Sequence, residues 1–419
     1  MTPPAPRASP ARSPLRHIRP SDLKAAAQLA TLATHGVIDL TESVHQSVRR
    51  RLGLPGGAVA QQTGGLTGYV YQAVRGVTRL VGWSTDAALG ALLPLLDDPA
   101  VHPEASPQRQ AVIAALNGVL GDRLLAMGNP LAQAMELWVD GAQLAPTADA
   151  WKAQLPQAGP HLLLLIHGLC MNHTQWRRDG HDHGEWLAKA LGCTPVYLRY
   201  NTGQHIPTNG RELAALLERL VAAWPVPLTR ITLLGHSMGG LVARSAIANA
   251  QQAGLRWPEL LHDLVFLGTP HHGAPLERAG HGVDWLLASN PFTAPFARLG
   301  QIRSAGITDL RHGHVQEADG HGRTRFASGA DHRQPLPLPE GVRCYALAAT
   351  LAGQRSRLAD RLTGDGLVPV HSALGHHDNP ALRLAVPREH QRTVYRTGHL
   401  DLLSSPVVAQ QLKAWLSPA

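Results

Sequence analysis

Lysine is nearly missing from this chain. Only four lysines stand among its 419 residues (Lys24, Lys152, Lys189 and Lys413), so the formal charge of +8 comes from arginines scattered along the sequence. Apart from Arg49, Arg50 and Arg51 there is no dense basic cluster, and no basic stripe is interleaved with aromatics. Both would be needed to neutralise phosphates and stack bases, so nucleic acid is not an expected partner.

Cysteine is equally scarce. Cys170, Cys193 and Cys344 lie far apart without metal-ligand spacing, each in or beside an apolar run, which predicts reduced, buried thiols and suits a cytoplasmic location. The first twenty residues carry positive charge but lack the apolar core of a secretory signal, and they read as a disordered tail. No uninterrupted apolar run reaches the roughly 18 residues of a membrane-spanning helix. The nearest, over 66–96, is broken by Arg75, Arg79 and Asp86.

What is present is a chain with 44% hydrophobic residues, long enough for one large domain and an appendage. Residues 21–131 carry helical periodicity, with Ser21 as N-cap and Pro55-Gly56-Gly57 as punctuation. This stretch is expected to be a helical N-terminal extension. It either packs on the main domain or, through the small and apolar face around 69–83, makes peripheral membrane contact. Near Met135 the period changes, and "MELWVDGAQLA" predicts two short strands joined by Asp140-Gly141.

From 132 to 419 strands and helices alternate. Strands are expected at 161–168, 195–200, 231–235, 263–269, 342–350 and 392–396, with helices at 184–191, 210–224, 239–252 and 407–415. Such alternation predicts an α/β fold with a mostly parallel sheet covered on both faces. Residues 276–340 break the rhythm and are expected to form an insertion over the C-terminal edge of the sheet. Within it, Asn290 and Pro291 open an amphipathic helix that sets Phe292, Phe296 and Leu299 on one face, two of only four phenylalanines in the chain. That face is either a lid or acyl-pocket wall, or ordinary core.

The chemistry centres on "ITLLGHSMGGLVARS", where Ser237 sits between a strand and a helix in the pattern G-x-S-x-G. A serine hydroxyl needs a base, and the base needs a carboxylate, in the chain order Ser…Asp…His. Asp365, in "LTGDGLVPVHS", follows the strand at 342–350. His399, in "VYRTGHLDLL", follows the last strand. Asp360 and Asp401 are weaker candidates for the acid, and His376 and His377 for the base. Developing negative charge on a carbonyl oxygen calls for two aimed N–H groups, expected from Met238 and from Leu169 after His167-Gly168.

Together His167-Gly168-Leu169, the elbow at 235–240, "GTPHHG", "GDGLVPV" and "TGHLDLL" resemble the α/β-hydrolases of the bacterial lipase/esterase kind and the GPI-inositol-deacylase-like branch. The resemblance covers the last 280 or so residues. It implies Ser237 as nucleophile, Asp365 and His399 as its partners, and Leu169 and Met238 as oxyanion donors. His167, Gly168, His236, Phe292 and Phe296 are expected to border the substrate, a lipid or other hydrophobic ester. The resemblance leaves thioesters, amides and acyl transfer open, and a non-catalytic binding protein of this fold would be expected to lack a triad member. No cofactor is called for. The cluster His181-Asp182-His183 is expected to be a polar loop rather than a metal site, and Asn201 either lines the pocket or makes a turn.

Overall fold

The continuous apolar run Leu162–Ile166 can be satisfied only by a strand covered on both faces, and that is where it lies: every one of these residues is at most 1% exposed. In the computed structural model, which describes Gln28 and residues 107–145, 147–273, 304–320, 333–354 and 364–417, it belongs to an eight-stranded sheet. The strands are β1 (Glu136–Val139), β2 (Ala142–Gln143), β3 (His161–Ile166), β4 (Thr194–Arg199), β5 (Arg230–His236), β6 (Leu261–Leu267), β7 (Arg343–Thr350) and β8 (Gln391–Tyr395). Their order is β2-β1-β4-β3-β5-β6-β7-β8. From β4 to β8 every pairing is parallel, whereas β1 runs antiparallel to both β2 and β4.

The β1–β2 hairpin turns at Asp140 (φ 50°) and Gly141 (φ 78°), two successive positive φ values as a tight hairpin of this hand requires. The helices are α1 (Pro107–Ala126), α2 (Ala148–Gln154), α3 (His183–Leu191), α4 (Ile206–Ala222), α5 (Met238–Gln252), α6 (Ala305–His312), α7 (Val370–Ala373) and α8 (Pro406–Leu416). One sheet face packs Leu163, Leu165, Val265 and Leu347 against Trp176, Leu187, Leu412 and Leu416. The chain order reverses at β3, whose two neighbours are β4 and β5. In open parallel sheets the crevice beyond the strand ends at such a reversal is where ligands bind.

The chain divides into two compact units, one of Met1–Arg109 with Met127–Leu131, the other of Gln110–Ala126 with Ala132–Ala419. In the first, Asn129 donates from Nδ2 to Gln28 Oε1 at 2.7 Å. The second carries the sheet, and it includes most of α1, a helix that its sequence position groups with the N-terminal extension. Two glycines explain how closely α1 packs. A Cβ on Gly118 would collide with the Cys170 side chain, and one on Gly121 with the Asn201 amide. Asn201 Nδ2 donates to Gly121 O at 2.9 Å.

In the interval between β6 and β7, α6 is described. Ser304 caps it by accepting from Ile307 N, and also donates to Gly118 O at 2.6 Å, while Ala305 N donates to Asp122 Oδ2 at 3.1 Å. The expected tail at 1–20, most of the extension at 21–106, and Phe292 and Phe296 of the insertion lie outside the described residues. Among the described residues no helix is long and apolar enough to cross a membrane.

Candidate active site

Ser237 sits at the junction of β5 and α5 with φ 54° and ψ −124°, a left-handed backbone that a non-glycine residue adopts only under constraint. The constraints are visible. Ser237 N donates to Leu267 O at 2.8 Å, and Gly240 N to Ser237 O at 3.1 Å. A Cβ on Gly235 would stand 2.5 Å from Gly240 N, and one on Gly239 would strike Ile166 O. The glycines of the pentapeptide are therefore required by the turn. The Ser237 hydroxyl makes no capping bond to the helix it opens.

Asp365 and His399 arrive from the loops after β7 and β8. Asp365 is 1% and His399 2% exposed, and His399 Nδ1 lies 2.7 Å from Asp365 Oδ2. The other carboxylate oxygen, Oδ1, accepts from Leu367 N at 3.0 Å and Val368 N at 2.8 Å, while His399 N donates to Asp365 O at 3.0 Å. The carboxylate is thus fixed on one side by backbone and presents the other to the imidazole. Gly268, next to the Leu267 carbonyl that holds Ser237 N, abuts the pair: a Cβ there would meet Asp365 Oδ2 at 3.2 Å and His399 Cε1 at 3.3 Å. His236 donates from Nε2 to His399 O at 3.1 Å. These contacts bring Ser237, Asp365 and His399 to one edge of the sheet.

The loop after β3 reaches the same place. A Cβ on Gly168 would stand 2.9 Å from Ser237 Cβ. Tyr200 Oη donates to His167 O at 2.8 Å and Cys170 N to Thr202 Oγ1 at 3.2 Å, pinning the loop on both sides of Leu169. The N–H groups of Leu169 and Met238 have no acceptor among the described residues. Met238 is the first residue of α5, where the orphan donors of a helix end favour negative charge.

His167 and His236 are both fully enclosed. His167 stacks on Tyr200 with ring centroids 4.5 Å apart, and burial holds its pKa down at about 3. His236 packs 4.8 Å from the His399 ring, and burial, with His399 second, keeps it well below the usual imidazole range. Both rings are neutral supports, in contact with the loops rather than with solvent. Asn201 makes the turn: its Oδ1 accepts from Gly203 N at 3.0 Å. Asp182 caps α3 through Gly184 N and Glu185 N and accepts from Tyr197 Oη at 2.7 Å, while His181 Nε2 meets His183 Nδ1 at 2.8 Å. Among the described residues no group of three or more His, Cys, Asp or Glu is arranged to hold a metal ion. His376 bonds to Gln391 at the surface, and Asp401 accepts from Gly398 N.

Residues that sequence reasoning passed over are Thr202, Tyr200 and the α1 glycines. The spacing Gly118…Gly121 inside a helical pattern was the available signal, since glycine there marks a close approach.

Residues 158–321 match the model of a family described as a PGAP1-like alpha/beta domain. That span includes Leu169 and the Ser237 turn but ends before Asp365 and His399. Over 154 residues the chain is 28% identical to a triacylglycerol lipase of Burkholderia plantarii, a match covering 35% of this chain and 38% of that protein. The chain thus spans well under half of the curated relative. Among solved structures, the mature Bacillus licheniformis lipase BlEst2 aligns over 61% of this chain and 91% of its own at 17% identity and a TM-score of 0.39. Aspergillus fumigatus lipase B aligns over 64% and 57% at 11% identity and a TM-score of 0.37.

Proposed function

We propose that this chain, a member of the α/β-hydrolase superfamily, hydrolyses carboxylic esters of hydrophobic acyl groups through an acyl-enzyme on Ser237. The observation that carries this is the 2.7 Å pair of His399 Nδ1 and Asp365 Oδ2 beside a strained, uncapped serine.

In this mechanism His399 Nδ1–H donates to Asp365 Oδ2, which fixes the tautomer and leaves Nε2 as the base. Ser237 Oγ attacks the ester carbonyl carbon as its proton passes to Nε2. The developing oxyanion is held by the Leu169 and Met238 N–H groups, which have no acceptor among the described residues. His399 then returns the proton to the leaving alkoxide, and the alcohol departs. Water, deprotonated by the same imidazole, releases the acid and restores Ser237.

A lipid or other hydrophobic ester is the expected substrate on the strength of the lipase relative. Hydrolysis of p-nitrophenyl esters of graded length tests this. Each methylene buried is worth about 0.8 kcal/mol, so kcat/KM should climb with chain length and then level off where the site ends. A rate independent of chain length, or no hydrolysis of any member, would reject the lipid assignment. Release of product only when an alcohol or amine acceptor is supplied would make the enzyme an acyltransferase instead.

A further inference from the structure

The stretch "RRDGHDHGEW" at 177–186 has no part in the mechanism above, yet it folds against the turn that carries His399. Arg178 and His181 exchange both backbone bonds at 2.8 Å around Asp179 (φ 50°) and Gly180 (φ 77°). The segment so shaped meets the chain after His399 at three points. Ser404 Oγ donates to Asp179 Oδ2 at 3.0 Å, Arg178 Nη2 stands 3.8 Å from Asp401 Oδ1, and His183 Nε2 donates to Leu402 O at 2.8 Å. The first two are surface contacts, with Asp179 72% and Asp401 58% exposed, and water competes for them. The third is buried, since His183 and Leu402 are both fully enclosed.

Leu402 O needs that donor. A carbonyl in the short helix Asp401–Leu403 would take an N–H from three or four residues on. Ser405 N already donates to Asp401 O at 2.9 Å, and Pro406 has no N–H. The imidazole is equally committed. Burial holds His183 at about 4, so the ring is neutral and carries one proton. That proton is on Nε2, which leaves Nδ1 to accept from His181 Nε2 at 2.8 Å. His183 is the first residue of α3, and Asp182 fixes that helix end by accepting from Gly184 N, Glu185 N and Tyr197 Oη.

Leu402 in turn reaches the site. A Cβ on Gly268 would meet Leu402 Cδ1 at 2.7 Å, Asp365 Oδ2 at 3.2 Å and His399 Cε1 at 3.3 Å, so Leu402 and the His399–Asp365 pair pack around one glycine. The same turn is closed by Asp401 N to Gly398 O at 3.1 Å and Leu403 N to Leu400 O at 3.2 Å, on either side of His399 and Leu402.

We propose that His183 is a positioning residue for His399: its Nε2–H, by holding Leu402 O, sets where the turn 398–403 presents the imidazole to Ser237, and His181 fixes the ring that does so. The role rests on His399 being the base, as proposed above.

The experiment compares His183→Asn with His183→Gln in the full chain, by hydrolysis of a short p-nitrophenyl ester and by hydrogen exchange of the peptide spanning 398–405. A glutamine amide reaches about as far as Nε2 and can donate to Leu402 O, whereas an asparagine amide ends near the level of Nδ1 and cannot. His183→Asn should lower kcat by about 10- to 100-fold with KM within about twofold, as small misplacements of catalytic groups do. Exchange over 398–405 should speed up by about tenfold in the same variant as the turn opens more often. His183→Gln should recover kcat to within about threefold of the wild type and slow the exchange again. Should His183→Asn fail to fold, His183→Met, of similar length but without a donor, takes its place. Wild-type kcat or wild-type exchange in the folded donorless variant, a loss confined to KM, or a His183→Gln that recovers nothing would overturn the role of His183. A wild type inert towards every ester would overturn the reading of His399 as base, and with it any role of His183 in turnover.

Discussion

His236 Nε2 donates to the carbonyl oxygen of His399 at 3.1 Å, so the residue before Ser237 holds the backbone of the residue proposed as its base. This contact couples the two loops, and in the proposed mechanism it would make His236 a positioning residue. His236→Phe keeps a ring in the pocket and deletes the donor. It should lower kcat by about 10- to 100-fold, as small misplacements of catalytic groups do, with KM nearly unchanged. A rise in KM at constant kcat would assign His236 to substrate binding.

Asp365→Asn should fold, because Oδ1 keeps its two backbone donors, Leu367 N and Val368 N. It should lose about 10⁴ in kcat, since the amide no longer favours the tautomer with Nε2 free. Full activity in Asp365→Asn, with an unchanged melting midpoint, would move the acid role to another carboxylate.

Much of this was legible beforehand because it is local. The glycines around Ser237 announce a turn that only glycine permits, and the run 162–166 announces a buried parallel strand. Asp140-Gly141 announces a hairpin. His399 stood out among 24 histidines by position alone, after the last strand and before the last helix. What could not be read was long-range. Nothing near Gly118 or Gly121 says that α1 meets Cys170 and Asn201. Nothing around Arg244 says that it is buried, because both depend on loops distant in sequence.

The α1 contact yields a prediction of its own. In Gly121→Val the new side chain must displace the Asn201 amide, and overpacking of this kind costs about 1–3 kcal/mol. Since the turn after Asn201 carries Thr202, which holds Cys170 N, the damage should reach the loop bearing Leu169. A lowered melting midpoint together with lowered kcat is expected. Loss of stability at full kcat would show that α1 does not set the loop.

Stability should fall in mild acid. Burial lowers His167, His173 and His272 to about 3, and His161 and His183 to about 4, all from 6.5. Below pH 6.5 the unfolded chain takes up protons that the folded chain refuses, so each histidine removes up to about 1.4 kcal/mol per pH unit until its folded pKa is reached. His205 acts in the opposite sense: its bond to Asp309 raises its pKa, so its contribution is present at low pH and lost as pH rises through that value. Being 61% exposed, it is screened and outnumbered. Melting midpoints should drop steadily from pH 7 to pH 5, and a flat profile would contradict the assignment of these rings as buried and neutral.

The central claim is that Ser237 carries the covalent step. Intact-protein mass spectrometry after exposure to a fluorophosphonate tests it most directly. The wild type should gain one adduct, located by peptide mapping on Ser237, and Ser237→Ala, folded to the same melting midpoint, should gain none. An adduct on Ser237→Ala, or a wild type that stays unmodified while folded, would contradict the account.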